Sequence, residues 1–312
     1  MGLGNRISRK AAAGAGPLFS LLPFAGIARP VFIVGCGRSG TTVFGTILSR
    51  HRKITYLNEP RRLWALAYPQ TDIWKKAPSG AGGKLCMTAA DADRHSSRRI
   101  SRLFRFETIK SGKPVMVEKL PANSFRLQFI SEIFPDARFI HLYRNGLEVA
   151  RSIEMICRER EWYGRNMHKW HELVRLARAR RETAGLPDLC SDNFYKGLLE
   201  WRLSTEAITG FLGGLPQKAY LEISYCQLLD DPGGTIGSTL EFLGLDTDPQ
   251  VVRFANEILV RRTTPRDGVT PSARHKAVGG DLLAASLDCR TGLSQLPAAR
   301  RLAAAATGQP AS

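Results

Sequence analysis

The stretch VFIVGCGRSGTT, residues 31–42, decides the fold. Its first four residues, Val31 to Val34, are apolar and β-rich, which is typical of a strand buried on both faces of a parallel sheet. Glycines follow within 35–40, and apolar residues then recur at helical spacing over 43–48. The stretch therefore predicts a strand, a glycine-rich loop and a helix.

The loop within this stretch has the frame of a nucleotide phosphate-binding loop. Gly35 and Gly40 have the GxxxxGK[ST] spacing, but Thr41 replaces the lysine. Loop amides and the positive end of the following helix bind anions, and Arg38 adds a planar cation suited to oxyanions. The lysine is missing and no later apolar strand ends in an Asp that could hold magnesium. Both features disfavour an ATP-dependent kinase.

Strands and helices alternate along the remaining chain. Further strands are predicted at Ile54–Leu57, Val115–Val117, Arg138–Tyr143 and Ala219–Ile223. Helices are predicted near Ser124–Ile133, Leu147–Cys157, Tyr195–Phe211, Thr235–Leu243 and Pro249–Val260. This alternation predicts an α/β fold with a mainly parallel central sheet flanked by helices.

The domain boundaries follow changes in composition. Residues 1–29 are predicted to be a leader whose apolar part, Ala11 to Ala28, is interrupted by glycine and proline. It is either loosely ordered, laid on the domain, or in peripheral contact with a membrane. Residues 30–280 form the predicted domain, with insertions near 60–113 and 155–200. Residues 281–312 form a C-terminal tail.

Composition limits the partners. Hydrophobic residues make up 43% and charged residues 23%, which excludes a disordered chain and a polytopic membrane protein. The net charge of +17 predicts an anionic partner: nucleic acid, a phosphorylated cofactor, an acidic glycan or a membrane surface. Six scattered cysteines without a CxxC pair predict reduced thiols in a cytoplasmic protein.

Both insertions are rich in arginine. These residues are predicted to be solvated helix faces or, alternatively, the walls of a cleft for an anionic acceptor. The first insertion carries Arg94, Arg98, Arg99, Arg102 and Arg105, and the second carries Arg175, Arg178, Arg180 and Arg181.

Three ordered motifs within residues 30–262 resemble those of sulfotransferases that use 3′-phosphoadenosine 5′-phosphosulfate (PAPS). The sequence GRSGTT, residues 37–42, resembles the 5′-phosphosulfate loop. The stretch 134–152 is similar to the 3′-phosphate motif, in which a strand-ending Arg and a Ser eight residues later bind that phosphate; here they are Arg144 and Ser152. Tyr225 begins a segment similar to the family's Tyr-Glu-Asp-Leu element, whose Tyr lies near the adenine.

The resemblance implies a P-loop NTPase-like sulfotransferase fold. It also implies PAPS as cofactor, adenosine 3′,5′-bisphosphate (PAP) as product, and no required metal. The cofactor would be bound by Gly37, Arg38, Ser39, Gly40, Thr41, Thr42, Arg144, Ser152 and Tyr225.

Two further residues are candidates for catalysis together with Arg38. Glu59 follows the second predicted strand and so should lie at the carboxyl edge of the sheet, where open α/β sheets bind ligands. The resemblance implies that Glu59 is the general base, as in sulfotransferases of the glycan and protein-tyrosine type. The alternative is a helix N-terminal carboxylate before Pro60. Lys119 resembles the Lys of a Glu-Lys-x-Pro element that contacts the bridging oxygen or the sulfuryl group.

Two departures favour the glycan and protein-tyrosine type over the cytosolic steroid and phenol type. Lys119 stands where that second type has a His base, and Val43 stands where it has an aromatic residue. The predicted reaction is sulfuryl transfer from PAPS to a hydroxyl, or in second place an amine, of a saccharide or lipid. Partners are PAPS and this acceptor, without nucleic acid, in the cytoplasm or at a membrane surface. A P-loop kinase of a small molecule and a basic nucleic-acid-binding protein are the alternatives.

Overall fold

The computed structural model describes residues 26–74, 83–259, 271–287 and 292–295. Within these residues, five parallel strands form one sheet in the order β2-β3-β1-β4-β5. The strands are β1 (Val31–Val34), β2 (Ile54–Asn58), β3 (Val115–Lys119), β4 (Arg138–Tyr143) and β5 (Tyr220–Ser224). The predicted α/β fold with a parallel central sheet is confirmed.

Helices cover both faces of the sheet. They are α1 (Thr41–Leu48), α2 (Arg61–Ala67), α3 (Arg94–Ser111), α4 (Leu127–Ile133), α5 (Gly146–Cys157), α6 (His168–Arg178), α7 (Asn193–Leu212), α8 (Tyr225–Asp230), α9 (Pro232–Phe242), α10 (Pro249–Ile258), α11 (Ala273–Gly279) and α12 (Asp281–Leu287).

Strand β1 lies in the middle of the sheet, and side chains of helices cover both of its faces. Phe32 and Val34 point into a core layer that also contains residues of α4, α5 and α7. Val31 and Ile33 point to the opposite layer, against α1, α9 and α10. Side chains alternate across a strand, so an apolar run without polar interruptions requires helices on both sides.

The sheet differs from the prediction where strands reach its carboxyl edge. Strands β2 and β3 continue through polar residues, so that Asn58 lies opposite Lys119 in the parallel register. The helix predicted at Ser124–Ile133 is broken: a 3₁₀ turn covers Pro121–Phe125, and α4 begins only after Arg126. Burial of Arg126 explains the break, since its guanidinium donates to the carbonyls of Leu85, Thr71 and Lys84.

Parts of both insertions lie against each other. The amide of Leu85 donates to Glu172 Oε2 at 3.1 Å, and the Nε2 atom of His168 lies 2.7 Å from the carbonyl of Gly83. Contacts of this kind place α6 next to the chain that leads into α3.

Residues 1–25 of the predicted leader lie outside the described residues, and so do most of residues 288–312. Part of the predicted tail contributes to the core, since Leu282 and Leu283 of α12 are buried and Ser294 donates to Glu222. Among the described helices, none is both long and apolar enough to cross a membrane.

Four cysteines are free thiols, as predicted: Cys36, Cys86, Cys157 and Cys190. The prediction of reduced thiols is wrong for Cys226, which is disulfide-bonded. Cysteine spacing along the sequence carries no signal for this bond, because a disulfide depends on distance in the fold.

A buried acid joins β3 to α2. Glu118 is fully buried and accepts hydrogen bonds from Trp64 Nε1 at 3.1 Å and from Asn123 Nδ2 at 3.1 and 3.2 Å. Burial raises the pKa of Glu118 to about 8. The contact with Trp64 fixes α2 directly after Glu59.

The raised pKa of Glu118 predicts a pH-dependent stability. The folded state holds this proton up to about pH 8, whereas an unfolded glutamate loses it near 4.5. The free energy of unfolding should therefore decrease as pH rises between these values, by at most about 1.4 kcal/mol per pH unit. Urea unfolding from pH 4.5 to 8.5 measures this slope. Glu118→Gln should flatten it, and the exposed control Glu241→Gln should not. An unchanged slope in Glu118→Gln would contradict the assignment.

Candidate active site

The phosphate loop connects β1 to α1 through two residues in left-handed conformation. Gly40 has φ of 93°, which glycine adopts readily, and Arg38 has φ of 76°, which is rare for a residue with a side chain. The strained backbone at Arg38 is held by a contact from another element: its Nε donates to Ser152 Oγ on α5 at 3.0 Å. Strain of this kind concentrates at functional sites.

The loop contains an unsatisfied hydroxyl. Ser39 is 1% exposed, and its Oγ has no hydrogen-bond partner among the described residues. Buried polar atoms are almost always paired, so this oxygen fits a site that a ligand completes. An anion at the start of α1 would accept from Ser39 and from the first helix amides, which have no partners within the helix. The loop therefore fits a phosphate-type group.

The three predicted cofactor motifs meet at this loop. Arg144, at the end of β4, lies with its NH1 atom 3.5 Å from the carbonyl of Arg38. Its guanidinium lies 4.8 Å from the ring centre of Tyr225. The ring of Tyr225 in turn fills the space that a Cβ at Gly40 would need. The phosphate loop, Arg144 after β4, Ser152 of α5 and Tyr225 of α8 thus form one cationic site.

Arg144 is positioned by its surroundings. Its Nε donates to Glu148 Oε2 at 2.6 Å, and its carbonyl accepts from Trp201 Nε1 at 3.0 Å. The next residue, Asn145, caps α5 by accepting from the amide of Leu147 at 2.9 Å. These contacts hold the guanidinium of Arg144 in position. The two positive charges of Arg38 and Arg144 and the one negative charge of Glu148 sum to a net charge of +1.

Glu59 and Lys119 form an ion pair at the same edge of the sheet. The amide of Glu59 donates to the carbonyl of Lys119 at 2.7 Å, and Lys119 Nζ lies 2.8 Å from Glu59 Oε1. Arg61 donates to the other carboxylate oxygen at 2.5 Å. Glu59 adopts φ of 48°, a further strained position without glycine.

Two cations decide the protonation state of Glu59. Burial raises the pKa of this carboxyl, but the hydrogen bond and charge of Lys119, with those of Arg61, outweigh burial and bring the pKa below the ordinary 4.5. Glu59 is therefore ionised at neutral pH. Among the described residues, the side-chain partners of Glu59 are these two cations and not the amides of α2.

Trp162 is a contact of the loop that the sequence does not predict. A Cβ built on Gly37 would lie 2.7 Å from Trp162 Cη2, so the ring packs directly on the loop backbone. Trp162 Nε1 donates to Glu200 Oε2 at 2.9 Å, and Lys169 binds the other oxygen of Glu200 at 2.5 Å. A single tryptophan within an insertion has no periodic signal, and only the fold brings it to Gly37.

Arg61 was also not predicted, although it lies two residues after Glu59. Its guanidinium stacks on the ring of Trp74, 3.7 Å from the ring centre.

Within the described ranges there is no group of three or more His, Cys, Asp or Glu side chains that could hold a metal ion.

The Gly37–Trp162 contact predicts that a side chain at position 37 weakens ligand binding, and that a smaller ring at position 162 restores it. Gly37→Ala should weaken PAP binding by about 5- to 150-fold, because overpacking costs about 1–3 kcal/mol. In the Trp162→Phe background the smaller ring leaves room, and most of the loss should disappear. Titration calorimetry on the four proteins measures this coupling.

Gly40→Ala provides the contrast for this experiment. Its φ of 93° is unfavourable for any side chain, so Trp162→Phe should not restore it. Equal losses from Gly37→Ala in both backgrounds would show that the ring does not constrain the loop.

Comparison with known proteins gives short matches in sequence. Nodulation protein NoeE of Sinorhizobium fredii (strain NBRC 101917 / NGR234) is 30% identical over 129 residues, 39% of this chain and 30% of that protein. An uncharacterized protein of Aquifex aeolicus (strain VF5) is 31% identical over 135 residues, 40% of this chain and 16% of that protein. The matches thus span less than a third of either relative.

Solved structures match over most of the chain. The sulfotransferase domain from the curacin biosynthetic pathway has a TM-score of 0.51 and 16% identity, covering 92% of this chain and 100% of that one. The sulfotransferase domain from the Synechococcus PCC 7002 olefin synthase has a TM-score of 0.50 and 16% identity, covering 92% and 97%. At this identity the likeness shows a shared fold.

The family model described as the sulfotransferase family matches residues 30–249. This range is more than half of the chain, and it contains the phosphate loop, Glu59, Lys119, the Arg144–Ser152 motif and Tyr225. The chain therefore belongs to the sulfotransferase family.

Proposed function

We propose that the protein transfers a sulfuryl group from PAPS to a hydroxyl of an acceptor. The observation that carries this proposal is the meeting of three separate motifs around one loop. Arg38 contacts Ser152, and Arg144 lies between Arg38 and Tyr225. A site with two guanidinium groups beside an aromatic ring suits a nucleotide with phosphates at two positions.

Different residues would bind different parts of the nucleotide. The loop residues 37–42 would hold the 5′-phosphosulfate end, where Ser39 Oγ has no partner in the described part of the chain. Arg144 and Ser152 would hold the 3′-phosphate, and Tyr225 would lie near the adenine. Bound PAPS supplies a sulfuryl group attached to a phosphate that can leave.

Glu59 is proposed as the general base for the acceptor hydroxyl. It is ionised at neutral pH, and it lies on the strand edge next to the loop, since Lys119 pairs with Ile33 of β1 in the sheet register. Lys119 and Arg38 would stabilise the negative charge that develops on the sulfuryl oxygens and the leaving phosphate. When the ammonium of Lys119 turns to that charge, Glu59 loses a cation and becomes a stronger base.

The acceptor is proposed to bind where the two insertions meet. Trp74 and Arg61 lie on the Glu59 side, and Trp162 lies on the side of the phosphate loop. The described contacts between 83–85 and α6 join the two insertions to each other. A saccharide or lipid hydroxyl remains the proposed acceptor class, within a catalytic domain of residues 30–280.

A radiolabel screen tests the proposal. The wild-type protein is incubated with ³⁵S-labelled PAPS and with glycans, lipids, phenols and peptides, and Glu59→Gln is the matched control. Label should move to one acceptor class with the wild type. Absence of transfer to every class, together with magnesium-dependent phosphoryl transfer from ATP, would replace the proposal by a kinase.

The assignment of the 3′-phosphate site predicts a ligand-selective defect. Arg144→Ala should weaken PAPS binding by about 2–4 kcal/mol, as expected for one partner of a desolvated charge pair. Binding of adenosine 5′-phosphosulfate, which lacks the 3′-phosphate, should change little. Arg151→Ala, which removes an exposed arginine of the following helix α5, is the control and should affect neither ligand. Equal losses for both ligands would show that Arg144 is only structural.

The assignment of the base predicts a pH effect. Because Lys119 and Arg61 hold the pKa of Glu59 below 4.5, kcat/KM should stay high on lowering pH and fall only below that value. Arg61→Met removes one cation, so the pKa of Glu59 should rise and the acid limb should move to higher pH. The neighbouring exposed Arg62→Met is the control and should leave the limb in place.

Glu59→Gln should lower kcat by about 10²–10⁴ while PAPS affinity is nearly kept. Near-native turnover of Glu59→Gln on its acceptor would exclude Glu59 as the base, even if the label transfer itself is confirmed.

A further inference from the structure

One side of α3 carries a row of arginines. Positions 94, 98, 102 and 105 lie on the same side because their spacings are four, four and three residues. The opposite side is buried through Ile100, Leu103 and Phe104. We call Arg94, Arg98, Arg102 and Arg105 the arginine stripe.

The exposed members of the arginine stripe lack acidic partners. Arg94, Arg98 and Arg105 are exposed, and none of them forms an ion pair with a carboxylate in the part of the chain that the structure describes. The only acid within α3, Glu107, is bound to Lys110 at 2.8 Å. The stripe is therefore a net positive surface.

The second arginine-rich helix, α6, differs in this respect. Arg175 pairs with Glu172 at 2.5 Å, and Arg178 pairs with Asp188 at 3.3 Å. Two helices of similar composition thus present different charge to solvent. The difference arises because α6 carries Glu172 one turn before Arg175, and because Asp188 lies next to Arg178.

An exposed apolar side chain continues the arginine stripe. Ile109 follows Arg105 by one helical turn and is 53% exposed, which is unusual for isoleucine. A positive surface that ends in an exposed apolar side chain matches the interface of a bilayer, where charged head groups border acyl chains.

The N-terminal segment joins the described chain beside the stripe. The amide of Ile27 donates to the carbonyl of Ser101 at 3.2 Å and to Ser101 Oγ at 3.0 Å. The described residue Ile27 therefore lies against α3 beside the arginine stripe.

The arginine stripe lies apart from the candidate active site. A cleft of about 480 Å³ beside it is lined by Arg94, Arg98 and Arg102 with Gly26, Ser101 and Glu132. Neither the phosphate loop nor the Glu59–Lys119 pair lines this cleft. A role of the stripe in binding an anionic acceptor at the point of reaction is not supported by this position.

We propose that the arginine stripe and Ile109 dock the protein onto the surface of an anionic lipid bilayer. Each arginine near a negative bilayer surface adds to the attraction between protein and membrane. The exposed side chain of Ile109 adds an apolar contact at the end of the stripe. The proposal concerns location at a surface and does not depend on sulfuryl transfer.

Vesicle co-sedimentation of the full chain tests the proposal. Vesicles consist of phosphatidylcholine with or without phosphatidylglycerol. The wild type should sediment with the anionic vesicles, and salt should weaken this binding because exposed charges are screened within about 8–10 Å. The triple variant Arg94→Gln, Arg98→Gln, Arg105→Gln should bind roughly 100-fold more weakly, at about fivefold for each arginine.

A matched triple variant controls for net charge. Arg175→Gln, Arg178→Gln, Arg181→Gln removes the same three charges at the α6 region and should bind within a few-fold of wild type. Ile109→Ser should weaken binding while keeping its salt dependence. Circular dichroism melts confirm that each variant is folded.

Three results would overturn the proposal. Equal losses in both triple variants would mean that only net charge matters. Wild-type binding to neutral and anionic vesicles with the same affinity would remove the role of the stripe. Binding to duplex or single-stranded DNA that exceeds vesicle binding, and that is lost in the stripe variant, would identify a nucleic acid as the partner instead.

Discussion

The candidate site depends on the close packing of two aromatic rings against two glycines of the phosphate loop. Tyr225 occupies the space beside Gly40, and Trp162 occupies the space beside Gly37. The two rings come from distant parts of the chain, one after β5 and the other after α5. They hold the phosphate loop from two sides, so its amides and Arg38 are ordered before a ligand arrives, which lowers the entropic cost of binding.

The charges around this loop are arranged for an anion that the protein does not itself supply. Glu148 positions Arg144, and Ser152 positions Arg38, but the pair keeps a net positive charge. Among the described residues, Ser39 Oγ has no hydrogen-bond partner in the same loop. At the neighbouring strand ends, the carboxylate of Glu59 is shared by Lys119 and Arg61 and stays ionised. An electrophile held by cations beside an ionised carboxylate suits transfer to a hydroxyl group.

Sequence reasoning predicts features that are local. Strand β1 has the predicted bounds because its apolar run lies between Pro30 and Gly35, and β4 ends as predicted before Arg144. Arg144 and Ser152 are predicted through the resemblance, because they follow one strand and lie on the next helix with the family's spacing. Strand β3 was predicted too short because Glu118 and Lys119 are ionisable yet buried, through partners that sequence alone does not show. The contacts of Trp162 and the disulfide at Cys226 depend on long-range packing, for which a single sequence has no pattern.

We propose that the loop and the β4–α5 motif form one site for a nucleotide with a 3′-phosphate. The decisive experiment is titration calorimetry of the wild-type protein with PAP and with adenosine 5′-monophosphate, both in EDTA. The two ligands differ only in that phosphate. PAP should bind tighter by about 30-fold or more, the equivalent of about 2 kcal/mol for a desolvated charge pair. Equal affinities, or tighter binding of magnesium-ATP than of PAP, would contradict it.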